Sequence, residues 1–192
     1  MPKLIIGLVG RQGSGKGTVT QILQEMYKVE VFRFSSVLNT ILERLAIKQT
    51  RDNLIKLSGS LRETFGEDVL SYSISRDVIN SSSDIVIVDG IRRIEDIAAL
   101  DPLPQFKLIE VTAPAKFRYE RMTMRGEKAG ESTMTYDEFT TQELAPTENT
   151  IPLVAALAWK VLNNGKDKQY LEQQVKDLMN ELGAEPQNKS KS

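Results

Sequence analysis

Short, almost unbroken apolar runs alternate along the chain with longer stretches in which apolar residues recur every three or four positions. Lys3 to Val9, Val29 to Phe34, Ile85 to Val88, Phe106 to Val111 and Ala158 to Leu162 are runs of the first kind. Their continuous, β-branched character predicts strands buried on both faces, and hence a parallel sheet. The second kind predicts helices. Gly17 to Tyr27 is one. Asn53 to Phe65 places Leu54, Leu57, Leu61 and Phe65 at helical spacing, and Val69 to Ile79 follows less regularly. Pro114 suits a first helical turn leading into Ala115 to Met124. Thr135-Tyr136-Asp137-Glu138 has the form of a capping box opening a helix to Leu144. Asp167 to Leu182 closes the pattern amphipathically.

Strand, crossover helix and parallel strand repeat. The expected fold is therefore α/β, a three-layer sandwich with about five parallel strands and helices on both faces. No internal repeat and no second hydrophobic core interrupts residues 1–182, which read as one domain. The polar, Gly-containing Gly126 to Ser132 is a candidate mobile loop. Gly183 to Ser192 is polar and aperiodic, the pattern of a frayed tail.

Composition narrows the partners. Of the 192 residues 25 are Lys or Arg and 26 Asp or Glu, a net charge of -1 that counts against a nucleic-acid partner. No apolar run approaches the roughly 20 residues of a membrane helix. The apolar start, Leu4 to Val9, is too short for a signal-peptide core, so a cytoplasmic protein is expected. Oligomeric state is not legible. Two zeros narrow the chemistry. With no Cys there is no disulfide, thiol nucleophile or Cys-held zinc, and with no His there is no Ser-His-Asp chemistry and no imidazole base. What remains is carboxylates, Lys, Arg, hydroxyls and backbone N–H groups. Phosphoryl transfer fits that inventory, because it needs mainly positioning and charge stabilisation.

The strongest signal is Gly10-Arg11-Gln12-Gly13-Ser14-Gly15-Lys16-Gly17-Thr18, between a predicted strand and a predicted helix. In that context glycines turn backbone N–H groups onto phosphate oxygens, and the following helix adds its positive end. Lys16 then supplies a cation to the β- and γ-phosphates of a nucleotide. Gly10, Gln12, Gly13, Ser14, Gly15, Gly17 and Thr18 complete the expected nucleotide site. A second signal is Asp89, at the end of the apolar run Val86-Ile87-Val88 and followed by Gly90. Ligands of open α/β sheets collect at that edge, so Asp89 is a candidate to orient Mg²⁺ waters or the phosphate acceptor. A turn Asp before Gly is the plainer alternative. Arg118, Arg121 and Arg125 fall on one helical face leading into the Gly126 loop, where a merely solvated face is the plainer alternative.

With Gly17 and Thr18 after Lys16, the loop resembles that of the P-loop nucleoside monophosphate kinases, adenylate kinases included. The resemblance implies ATP as donor and Mg²⁺ held largely through water and phosphates, with Thr18 and Asp89 nearby. Asp89-Gly90-Ile91-Arg92 is similar to an archaeal adenylate-kinase-related group and favours Arg92 over Arg93 for the acceptor phosphate. Arg51, Leu54, Leu57, Gly59, Leu61, Arg62, Glu63, Phe65, Gly66 and Asp68 form a pattern similar to deoxynucleoside monophosphate kinases. It implies an acceptor-binding helical insertion over 36–82, with Arg51 and Arg62 toward the acceptor. The same families imply a lid over 122–136 in which Arg121 and Arg125 close on the phosphates.

Ala158 to Gly165 resembles an element of dephospho-coenzyme A kinases that packs by adenine. It implies Asn163, Asn164 and Gly165 at the nucleotide, with Trp159 expected in the core. Those kinases carry acidic residues after the second strand, where this chain has Ser35 and Ser36, which are similar to adenylate kinases. The implied activity is transfer of the γ-phosphoryl group to a small-molecule acceptor, a (deoxy)nucleoside monophosphate. Dephospho-coenzyme A kinase is the alternative, and a P-loop ATPase or nucleotide switch the second.

Overall fold

In the computed structural model, which describes residues 1–126 and 131–187, the first apolar run becomes β1 (Leu4–Val9), buried along its whole length. Four more runs become β2 (Val29–Arg33), β3 (Ile85–Ile91), β4 (Phe106–Thr112) and β5 (Lys160–Asn163). All pair in parallel, in the order β2-β3-β1-β4-β5. The central position of β1 explains its unbroken apolar sequence. Residues of even number, Leu4, Ile6 and Leu8, pack toward α1 (Lys16–Met26) and α9 (Lys168–Glu181). Ile5 and Val9 pack the other way, against α2 (Phe34–Arg44), α4 (Val69–Ile79) and α8 (Ile151–Ala155). Each such fully buried side chain contributes about 1.5–3 kcal/mol relative to exposure. The result is the expected three-layer α/β sandwich.

The order also sets where ligands meet the sheet. Chain connections leave β1 toward β2 and β3 on one side, and β4 and β5 lie on the other. A crevice opens at such a switch point, beyond the carboxyl ends of the strands. The phosphate loop follows β1 there, and the ends of β3, β4 and β5 lie on the same edge.

Several elements differ from the sequence pattern. A helix, α2, starts at Phe34, directly after β2 and with no turn residue between them. Its apolar residues Phe34, Leu38 and Leu42 are buried at helical spacing, but the adjoining apolar strand hides the change of period. The expected 36–82 region thus holds α2, α3 (Arg51–Phe65) and α4, and α2 and α4 also belong to the main core. Two short helices, α7 (Pro146–Asn149) and α8, were not expected from periodicity, since neither is long enough to show one. β3 continues past Val88 to Ile91. Gly90, at φ +94°, lets it bend where the register on β1 shifts after Leu8.

Trp159 is 45% exposed beside the edge strand β5 and is not a core residue, a correction to its expected place. The first part of the expected frayed tail is docked: Ala184 N–H donates to Met179 O and Gln187 N–H to Met26 O. Residues 188–192, and 127–130 of the expected mobile loop and lid, lie outside the described residues. The capping box at Thr135 is formed, with α6 (Tyr136–Glu143) behind it. Hydrogen bonds from Thr135 hold the Glu138 carboxyl below the usual carboxylate range. After α5 (Ala115–Arg125) a small separate cluster, Met122, Met134 and Phe139 with Tyr119, joins α5 to α6. No helix among the described residues is long and apolar enough to cross a membrane.

Candidate active site

The phosphate loop is a rigid turn held by its own backbone and by two neighbours. Ser14 N–H donates to Arg11 O at 3.2 Å, and Val19 N–H to Gly15 O at 3.0 Å, where α1 begins. Gly15 is left-handed at φ +101°, and a Cβ there would overlap the Asn164 amide nitrogen. The Lys16 ammonium folds back over the loop, donating to Gly10 O at 2.6 Å and to Arg11 O at 3.4 Å. It is therefore centred on the ring of backbone that would cradle phosphate. Gly17 faces open space on the first turn of α1, with half-buried Thr18 next to it.

Asparagine 164 is the keystone behind that loop. Its Nδ2 donates to Ser14 O at 2.9 Å, its N–H donates to Thr112 O at 2.8 Å, and its own carbonyl accepts from Arg121 Nη2 at 2.8 Å. This side chain is committed to the phosphate loop, so it is not the free adenine reader that its family resemblance implied. Asn163 is likewise engaged, its Oδ1 accepting from Gly165 N–H at 2.8 Å in an Asx-type turn. The turn seats β5 and α9 against the nucleotide loop.

Arg121 is drawn in by the same contact. Its Nη1 is buried without a hydrogen-bond partner, and burial lowers the guanidinium pKa. An unsatisfied buried cationic N–H carries a desolvation cost that an anion would relieve. The cradle geometry of Gly15, the centred Lys16 and this orphaned donor together fit the polyphosphate of a nucleotide. Among the described residues no group of three or more carboxylates converges as a metal cage. That donor set suits a hard divalent ion held mainly by water and phosphate, with Thr18 and Asp89 as the protein oxygens at hand.

Asp89 lies on the strand next to the loop, opposite Leu8 of β1 on one side and Arg33 of β2 on the other. The Arg33 guanidinium is 3.5 Å from its carboxylate. Ser35 and Ser36 follow Arg33 and are exposed in the first turn of α2, so strand pairing brings them to the same edge as Asp89. Arg51 is exposed at the start of α3, in the sequence-predicted acceptor region.

Arg62 departs from its expected role. It is buried, with Nη2 2.7 Å from Asp96 Oδ1, Nη1 on the Ser58 hydroxyl and Nε donating to Glu67 O at 3.3 Å. The other Asp96 oxygen accepts from Arg92 N–H at 2.8 Å and Arg93 N–H at 3.0 Å. Arg62 is thus a buried brace for the turn after β3, not an exposed phosphate ligand. Breaking one partner of a buried pair of this kind costs about 3–5 kcal/mol. Arg92 itself pairs with buried Glu148 of α7, and the half-buried Arg93 pairs with Glu67 at 3.0 Å. Sequence reasoning missed Asp96, although an Asp three or four residues after the N–H groups it binds is a local signal.

The α5 arginines divide in role. Arg118 is buried, its Nε donates to Ala113 O at 3.0 Å, and both terminal nitrogens fork onto Glu143 of α6. Arg11 reaches the same glutamate, at 3.5 Å from Oε1 and 3.3 Å from the backbone carbonyl. Arg125 is 3.5 Å from Glu131, which also accepts from Gln12 Nε2 at 2.9 Å. Glu131, Glu143 and Glu148 carry no motif, because Gln12, Arg118 and Arg92 lie 119, 25 and 56 residues from them. Beneath the loop a cavity of about 270 Å³ is lined by Arg11, Ser14, Arg118, Ile151 and Glu110, whose carboxyl pKa is raised by burial.

Comparison with known proteins shows the family and the fold. A family model described as an AAA domain, AAA_17, matches residues 9–144, which include the phosphate loop, Asp89 and the α5 arginines. The chain is 29% identical to a UPF0200 protein of Hyperthermus butylicus over 94% of this chain and 95% of that one. It is 28% identical to a UPF0200 protein of Sulfurisphaera tokodaii over 93% and 97%. In fold it is similar to the crystal structure of TT1252 from Thermus thermophilus, with a TM-score of 0.65 at 20% identity, covering 95% of this chain and 99% of that one. It is also similar to shikimate kinase from Bacteroides thetaiotaomicron, with a TM-score of 0.61 at 15% identity over 94% and 98%.

Proposed function

The chain belongs to the AAA-domain family AAA_17 and is a P-loop kinase-like protein, and from that premise we propose that it transfers the γ-phosphoryl group of ATP to a (deoxy)nucleoside monophosphate. The observation that carries the reading is the convergence on one sheet edge of an inward-folded Lys16, an orphaned Arg121 donor and Asp89. Cations and N–H donors fixed in a buried setting stabilise charge on a transferring phosphoryl group without reorganising.

In this reading Lys16 leaves the Gly10 carbonyl for the β- and γ-phosphates, and the loop N–H groups from Gln12 to Thr18 hold the rest. Arg121 and Arg125 meet the transferring group. Mg²⁺, when bound, would supply charge neutralisation at the phosphates, with Thr18 and Asp89 as the protein oxygens that would hold it through water. Asp89 orients that ion's waters or the acceptor. Ser35, Ser36, Arg51 and Arg92 face the acceptor, and Arg62 acts through Asp96 by fixing the Arg92 turn. Asn163, Asn164 and Gly165 form the wall of the nucleotide site by shaping the loop rather than by reading the base.

Dephospho-coenzyme A kinase is the second reading, favoured by the Asn163 to Gly165 turn against the loop. The first turn of α2 argues for the monophosphate, because it presents two hydroxyls and no carboxylate. With ATP and Mg²⁺ present, kcat/KM is expected to be higher for at least one nucleoside monophosphate than for dephospho-coenzyme A. Faster transfer to dephospho-coenzyme A reverses the order.

A further inference from the structure

We propose that Glu131 is an internal stand-in for nucleotide phosphate, holding Gln12 of the phosphate loop and Arg125 of α5 until bound phosphate takes its place. The inference rests on the phosphotransferase reading above and adds to it a positioning residue that sets nucleotide affinity.

Among the described residues, Glu143 and Glu131 are carboxylates that contact side chains of the phosphate loop, and they are held differently. Glu143 receives a two-pronged contact from Arg118. That arginine is itself fixed by the Ala113 carbonyl and stacked 5.4 Å from the Phe139 ring. Arg118 is buried, so this pair persists as the joint that fastens α6 to the loop. Glu131 is buried too, but two of its partners, Gln12 and Arg125, are of another kind. Gln12 belongs to the loop that would bind phosphate, and Arg125 is 39% exposed at the last turn of α5. A carboxylate and a phosphate oxygen accept from the same amide and guanidinium donors. The two anions cannot both take them at close range without repulsion.

The contact therefore exerts a defined thermodynamic effect. A ligand that binds only the released form has its affinity reduced by the fraction of molecules in that form. Neutralising Glu131 removes the competing anion and increases that fraction. A purely structural role predicts the opposite, since loss of a buried contact loosens the loop and weakens binding.

The test is a calorimetric titration of a non-hydrolysable ATP analogue with Mg²⁺ into full-length wild type, Glu131→Gln, Glu131→Asp and Glu143→Gln, with a thermal melt of each. Glu131→Gln is expected to bind about three- to tenfold more tightly than wild type. Glu131→Asp, still anionic but one methylene shorter, is expected to fall between them and keeps the test open should the Gln variant fold poorly. Glu143→Gln is expected to melt lower with no gain in affinity. Unchanged or weaker binding by both Glu131 variants overturns the proposal, as does equal tightening by Glu143→Gln. A wild type that binds no nucleotide at all overturns the phosphotransferase reading instead, and this inference falls with it.

Discussion

Lys16→Ala is expected to lower phosphoryl transfer at least about 100-fold while leaving the fold intact. The ammonium stands on the loop's own carbonyls, at 2.6 Å from Gly10 O and 3.4 Å from Arg11 O. Losing those two contacts takes little from the packing of the sheet. It takes from the reaction a cation that meets phosphate oxygens as they gain charge. Losing one such preorganised donor costs about 3–4 kcal/mol of transition-state stabilisation, which is two orders of magnitude or more in rate. Lys16→Met keeps the apolar stem and is expected to lose as much, which separates charge from bulk. Steady-state ADP formation with a circular-dichroism melt checks both points. Near wild-type turnover by a folded variant removes Lys16 from the site.

Gly15→Ala is expected to abolish nucleotide binding and to destabilise the protein by about 3 kcal/mol or more, through left-handed strain and overpacking together. At φ +101° an L side chain is strained before any contact is considered. The added Cβ also overlaps Asn164, which cannot swing away cheaply. Its side chain holds Ser14 O, its N–H holds Thr112 O, and its carbonyl holds Arg121. One methyl thus disturbs the loop, the end of β4, the β5–α9 turn and Arg121 of α5 at once. Gly17→Ala is the matched control, since a Cβ there meets nothing within 4 Å and sits in helix. Denaturant melts and a nucleotide titration of the pair are expected to show a large loss for the first and a small change for the second.

The fold was legible because β1 is central. Burial on both faces leaves no room for polar residues between Leu4 and Val9, so the strand is visible without any alternation. The phosphate loop was legible because its glycines and lysine act through local backbone geometry. What escaped was non-local or unpunctuated. Helix α2 begins where β2 ends, and no Gly, Pro, Asn or Asp marks the join at Arg33 and Phe34. Arg62 had the right residue type near the right region, but Asp96, 34 residues away, captures it. Asn164 matched a family element, yet its partner is Ser14, 150 residues earlier. Trp159 was expected in the core on its size, and the edge position of β5 leaves it 45% exposed. Charge partners chosen across such distances carry no period and no spacing.

The most direct measurement of the central claim follows the label of γ-³²P-ATP with Mg²⁺ across a panel of nucleoside and deoxynucleoside monophosphates. The account predicts labelled nucleoside diphosphate from at least one acceptor, formed by wild type and lost in Lys16→Ala. Label recovered only as inorganic phosphate, at a rate no acceptor changes, would contradict it and leave a P-loop ATPase.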